Sequence, residues 1–218
     1  MQVRSDYSQR TVVRPGDEAF VPSPLVGVDR LILHREGGEV ARATTIVRYA
    51  AGSHFSAHTH GGGEEFFVLS GTFADEHGTY PAGTYVRNPP GSSHAPRSDD
   101  GCVLFVKLMQ FDREDREHKV IDTRNTEWHP GLVEGLSVMP LHQFGDESVA
   151  LVRWAPGTTF KPHTHFGGEE ILVLKGTFED EHGIYPAGTW LRSPSMSRHH
   201  PFTREGCAIL VKVGHLPS

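Results

Sequence analysis

Apolar and polar residues alternate in short runs from one end of the chain to the other. Residues 40–49 (VARATTIVRY), 65–73 (EFFVLSGTF), 102–111 (CVLFVKLMQF) and 148–154 (SVALVRW) are rich in β-branched and aromatic side chains. Each is short and bounded by turn residues, the pattern of strands rather than long helices. Gly37–Gly38, the Asp75–Glu76–His77–Gly78 run and Pro89–Pro90–Gly91 mark turns. The Asp75–Gly78 turn is expected at a hairpin tip, with His77 exposed. Residues 10–20 predict a first edge strand followed by a turn at Pro15–Gly16–Asp17. Residues 112–119 (DREDREHK) are charged throughout and predict a solvated linker, at most one helical turn. Many short strands with frequent turn signals indicate an all-β sandwich or barrel.

The pattern occurs twice. GTFADEHGTYPAGTYVR at 71–87 and GTFEDEHGIYPAGTWLR at 176–192 share 13 of 17 residues without a gap. Such identity in register marks a duplicated domain, because repeats of this length exceed solenoid units. We therefore divide the chain into 1–111 and 112–218, with the boundary in the 112–119 linker.

Each copy carries a cluster of metal-ligand residue types. The first reads Gly52, His58, His60, Glu64 and Gly71, followed by His94; the second reads Gly157, His163, His165, Glu169 and Gly176, followed by His199, each 105 positions on. Residues two apart on a strand share a face, so His58 and His60 aim at one point, as do His163 and His165. The Gly61–Gly63 run turns the backbone and carries Glu64 back toward that point. Adjacent strand residues face opposite ways, so only one of Glu64 and Glu65, and one of Glu169 and Glu170, reaches that point. The six-residue gap to Gly71 or Gly176 selects Glu64 and Glu169. The constant offset selects His199 over His200. Three imidazoles and a carboxylate suit zinc, iron, nickel or manganese. We expect two divalent ions per chain, zinc first, with iron, nickel and manganese as alternatives.

The spacing G-x5-H-x-H-x3-E-x6-G resembles the first motif of the cupin superfamily in both copies. The second motif is matched from Gly83 through Pro89 and Gly91 to His94, with Ser98 in place of its Asn. In the other copy it runs from Gly188 through Pro194 to His199, with Met196 for the Gly and Thr203 for the Asn. The repeated GTFxDEHGxYPAGT and the NPPGSSHAP of copy one resemble the ChrR-type cupins, a group named for a zinc-dependent anti-sigma factor. The resemblance covers nearly the whole chain. It implies two double-stranded β-helix (jelly-roll) barrels in tandem, a bicupin, with the ligands near each barrel's mouth. It implies a metal-binding sensor or regulatory module or, alternatively, a metal-dependent dioxygenase acting on a small polar or dicarbonyl molecule. The family's anti-sigma factors hold their sigma factor through a separate zinc domain with a C-x-x-C pair. This chain has no C-x-x-C, so direct sigma-factor binding is not expected.

Composition narrows the partners. A formal net charge of −6 argues against nucleic acid as partner. Neither a membrane-length apolar run nor a secretory apolar region occurs, so a cytoplasmic location without membrane contact is expected. Cys102 and Cys207, also 105 apart, each open an apolar run and are expected as small buried residues. A small-molecule ligand is the expected partner; self-association into a homo-oligomer stays open. No catalytic residue is assigned.

Pocket candidates are the equivalent pairs Phe55 and Phe160, Tyr85 and Trp190, and Arg87 and Arg192. The aromatics could line an apolar pocket over the metal. For Arg87 and Arg192, and for Arg48 and Arg153, surface pairing is the ordinary expectation. Binding a substrate carboxylate is the sharper one.

Overall fold

The structure is a computed structural model that describes residues 1–217. Every regular element among them is a β-strand, as the alternation predicts, and all strand pairs are antiparallel. The chain forms two jelly-roll barrels. None of the described residues forms a helix long and apolar enough to cross a membrane.

In the first barrel the main sheet runs Gln2–Val3, Val28–Gly37, Ala41–Tyr49, Cys102–Leu108, Glu64–Ala74, Thr84–Asn88, Lys119–Asp122. In the second it runs His129–Pro130, Leu136–Phe144, Glu147–Trp154, Cys207–Val213, Glu169–Asp180, Trp190–Ser193, Thr11–Val13. Each barrel adds a separate two-stranded piece, His58–Thr59 with Ser93–His94 or His163–His165 with Ser197–His199.

The outermost strands cross the sequence halves. The compact units are residues 1–5 with 19–126, and 6–18 with 127–218. Thr11–Val13, expected as an edge of the first half, pairs instead with Trp190–Arg192 of the second barrel. Lys119–Asp122, placed by the sequence in the second half, pairs with Thr84–Arg87 of the first. An edge strand is held mainly by backbone hydrogen bonds, which carry no label of the half that supplies it.

The cores are equivalent. Phe66, Val68, Phe73, Tyr80, Val86 and Leu104 form one; Ile171, Val173, Phe178, Tyr185, Leu191 and Ile209 occupy the same places in the other. Burying each large side chain contributes about 1.5–3 kcal/mol. Cys102 and Cys207 are free and buried beside these cores, as expected. Burial pushes the Cys207 thiol up to about 12, which removes it from thiolate chemistry.

The motif glycines Gly71 and Gly176 have φ of +71° and +69°. A Cβ at either would lie 2.1 Å from the carbonyl oxygen of Gly101 or Gly206. They therefore permit the close approach of backbone within strands Glu64–Ala74 and Glu169–Asp180.

Candidate metal centres

Short strand pairing brings the histidines together. His58 stands directly opposite His94, and His163 opposite His199. The period of two adds His60 and His165 on the same face. The imidazole centroids of His58, His60 and His94 lie 4.7–5.0 Å apart; those of His163, His165 and His199 lie 4.5–4.9 Å apart. In each trio one nitrogen per ring falls within 4.8 Å of the other two.

Glu64 and Glu169 stand beside the two trios. Glu64 Oε2 lies 3.5 Å from His60 Nε2 and 3.6 Å from His94 Nε2. Glu169 lies 3.5 Å from His165 Nε2 and 3.8 Å from His199 Nε2. Their neighbours Glu65 and Glu170 face away. Glu65 accepts from Tyr85 Oη at 2.7 Å, and Glu170 from Trp190 Nε1 at 3.1 Å.

A ring of further contacts orients the rings. His94 Nδ1 meets Asp75 Oδ2 at 3.1 Å, and His199 Nδ1 meets Asp180 Oδ2 at 3.3 Å. His60 Nδ1 meets Ser92 Oγ at 3.2 Å, and His163 Nδ1 meets the Lys161 carbonyl at 3.0 Å. These contacts occupy Nδ1 and turn Nε2 inward, the arrangement that fixes a metal-ligating histidine. Sequence reading placed the Asp75–Gly78 turn at a hairpin tip and gave Asp75 and Asp180 no role; both are buried against these histidines. Their recurrence inside the repeated D-E-H-G was the available signal. His77 is exposed, as expected.

The electrostatics suit a cation. Burial pushes His60 down to about 4, with His58 adding to the shift, and His165 down to about 3. It lowers His94 and His163 as well. These imidazoles are neutral, which is the ligating form. Burial also raises Glu64, and raises Glu169 to about 7. His94 Nε2 and Glu169 Oε2 are buried with no hydrogen-bond partner. A divalent ion at the centre of either cluster would engage those atoms and offset the burial of the carboxylate, so the residues fit the metal the motif implies. The two sites differ at one neighbour: Asn88 donates to Glu64 Oε2 at 3.1 Å, whereas Ser193 pairs with Glu169 in that register.

A cavity opens beside each cluster. The first measures about 460 Å³ and is lined by His58, His60, Glu64, Tyr49, Arg30 and Glu39 among others. The second measures about 220 Å³; its histidines and Glu169 face Leu136, Val138, Trp154 and Phe160. Of the expected pocket residues, Phe160 lines its cavity. Phe55 packs edge-on against the lining residue Tyr49, centroids 5.3 Å apart. Tyr85, Arg87, Trp190 and Arg192 line neither cavity. Strand alternation explains this: Glu64 and Asn88 face the metal centre, so Tyr85 and Arg87 face away. Nor do the arginines pair on the surface. Arg87 is buried between Glu65, at 3.3 Å, and Asp115, at 2.6 Å. Arg192 is buried over Tyr7 and donates to the Asp6 carbonyl. Arg48 does pair on the surface, with Asp29 at 2.7 Å.

The family described as the ChrR Cupin-like domain matches residues 8–112 and again 116–217. No curated protein matches the chain by sequence. Among solved structures, a Nostoc punctiforme protein provisionally ascribed a dioxygenase activity superposes with a TM-score of 0.80 at 14% identity, over 94% of this chain and 82% of that one. Oxalate decarboxylase of Lactobacillus farciminis, in complex with formate, gives 0.67 at 13%, over 95% and 86%. The Escherichia coli pirin YhhW, in complex with nickel(II), gives 0.65 at 15%, over 96% and 99%. At these identities the likeness is one of fold.

Proposed function

The chain belongs to the ChrR cupin-like family, once in each half, and from that membership we propose a bicupin that holds one divalent metal ion per barrel and presents the first to a small molecule. The ligands are His58, His60, Glu64 and His94 in one barrel and His163, His165, Glu169 and His199 in the other. The observation that carries the reading is the convergence of three Nε2-directed imidazoles and a buried carboxylate on rigid strands beside an open cavity. A bound ion supplies a Lewis acid there or, if it is iron, a redox centre. The protein's own residues keep the imidazoles neutral, hold them through Asp75 and Asp180, and shape the space a ligand enters.

With zinc this arrangement serves a sensing or regulatory module in which the small molecule is the signal. A second reading, a metal-dependent dioxygenase acting on a small polar or dicarbonyl molecule, is favoured by the cavity of about 460 Å³ beside the first centre. That volume lies within the usual range for small-molecule sites. Elemental analysis of the protein from its native host, followed by oxygen uptake with a panel of dicarbonyl compounds, tests both. Two ions per chain are expected. Oxygen uptake with iron selects the enzyme, binding without uptake selects the sensor, and a chain without ions overturns the proposal.

A further inference from the structure

The two cavities are built on equivalent positions, and one position changes their chemistry. Arg30 pairs in register with Val47 in the first barrel; Val138 pairs with Val152, the equivalent of Val47, in the second. Arg30 and Val138 each line their own cavity. Other shared positions are conservative, Val28 corresponding to Leu136, Tyr49 to Trp154 and Val106 to Val211, while Glu39 lines only the first cavity. Among the described residues Arg30 is the only lysine or arginine lining the first cavity, and none lines the second.

The guanidinium is only partly engaged. Arg30 Nη1 and Nη2 reach the carboxylate of Glu39 at 2.9 and 3.4 Å. Glu39 is mostly exposed, with 64% of its side chain accessible, against 19% for Arg30. That pair sits at the rim, where solvent screening makes it weak. Arg30 Nε, in contrast, is buried without a hydrogen-bond partner. A buried donor on a fixed cation is costly unless an acceptor reaches it, and a carboxylate matches the guanidinium fork.

We infer that the first cavity is a site for a small organic carboxylate, its anionic end held by Arg30 and its other oxygens facing the three-histidine centre. This rests on the reading that the centre holds a cation. The second cavity, with valine at the equivalent position, takes no such anion. Glu39 acts as a rim competitor that a ligand carboxylate displaces from part of the fork.

Calorimetric titration of the full-length, zinc-loaded protein with malonate tests the inference, with metal content measured on the same samples. The wild-type chain is expected to bind one malonate. Arg30→Val should weaken it by about tenfold or more, the effect of losing a charge-assisted contact. Arg30→Lys should recover part of the loss, since it keeps the charge without the fork. Glu39→Gln should tighten binding several-fold. Adding Val138→Arg to Arg30→Val should restore one malonate per chain, now lost on His163→Ala. Equal malonate binding by wild type and Arg30→Val, in chains carrying both ions, overturns the inference and leaves the metal centres standing. Arg30-dependent binding in chains that take up no ion supports the anion site and overturns the metal reading instead.

Discussion

Arg10 donates to Asp180 Oδ2 at 2.6 Å and to Tyr185 Oη at 2.7 Å, although 170 positions separate it from that aspartate. Asp180 in turn meets Nδ1 of His199, a proposed ligand. Burial alone would raise the Asp180 carboxyl, but His199, Arg10 and Tyr185 together hold it well below the usual carboxylate range. In the first barrel Asp75 meets His94 and accepts from Tyr80, and no arginine side chain donates to its carboxylate among the described contacts. The second centre is therefore completed by a residue from the start of the chain.

Arg10→Ala is expected to lower metal affinity at the second centre by less than the roughly 10–100-fold that follows removal of a group touching a ligand, because Arg10 acts through Asp180. The first centre should be unchanged. Competition against a chromophoric chelator, read as two separate affinities, checks this. Equal weakening of both centres would point to general loss of structure.

His58→Ala should remove one ion and leave the other, and His163→Ala should do the reverse. Elemental analysis of metal-replete protein gives the count. Loss of both ions from either variant, with the strand signature in circular dichroism retained, would show that the centres are coupled.

Ion retention should persist below the ordinary histidine range and fall as pH approaches about 4, because histidine must be neutral to ligate and burial keeps His60 and His165 unprotonated until then. Metal content after dialysis at stepped pH checks this, and loss already complete at about pH 6 would contradict it. In the metal-free protein His60 and His165 titrate only at about 4 and about 3. Between about 6.5 and those values the unfolded chain binds protons that the folded chain refuses. Stability present above about 6.5 is therefore lost as pH falls through that window.

Glu169 has the opposite sign. Raised by burial to about 7, it holds a proton in the folded state and loses stability as pH rises from about 4.5 through that value. Metal-free Glu169→Gln should therefore gain in urea midpoint relative to wild type as pH rises from about 5 to about 7. A difference that stays constant over that range would show that Glu169 titrates like an exposed carboxylate.

Access should differ between the centres. Met196 holds φ of +64° where the first barrel has Gly91 at +90°, and the second cavity is about 220 Å³ against about 460 Å³. Azide titrated into the singly metallated variants is expected to bind more tightly to His163→Ala, which keeps the first centre. Tighter binding by His58→Ala would reverse the assignment. Met196→Gly should also relieve a left-handed backbone cost of about 1 kcal/mol, partly offset by glycine's greater unfolded freedom.

The sequence by itself determined the all-β class, the duplication and which histidines and glutamates recur at candidate-ligand spacing. These are local properties: a period of two decides which side chains share a face, the six-residue gap to Gly71 or Gly176 picks Glu64 over Glu65 and Glu169 over Glu170, and the constant offset of 105 picks His199 over His200. Three matters were settled only by tertiary structure. Thr11–Val13 closes the second barrel and Lys119–Asp122 the first, because either strand satisfies an edge through its backbone and only the folded chain shows which edge it reaches. Asp75 is buried although it sits in a turn, because His94, Tyr80 and turn amides reach its carboxylate, partners that only the folded chain brings together. Arg87 and Arg192 looked like Arg30 in chemistry. Only the direction each strand presents to the barrel left Arg30 lining a cavity and turned the other two away from it.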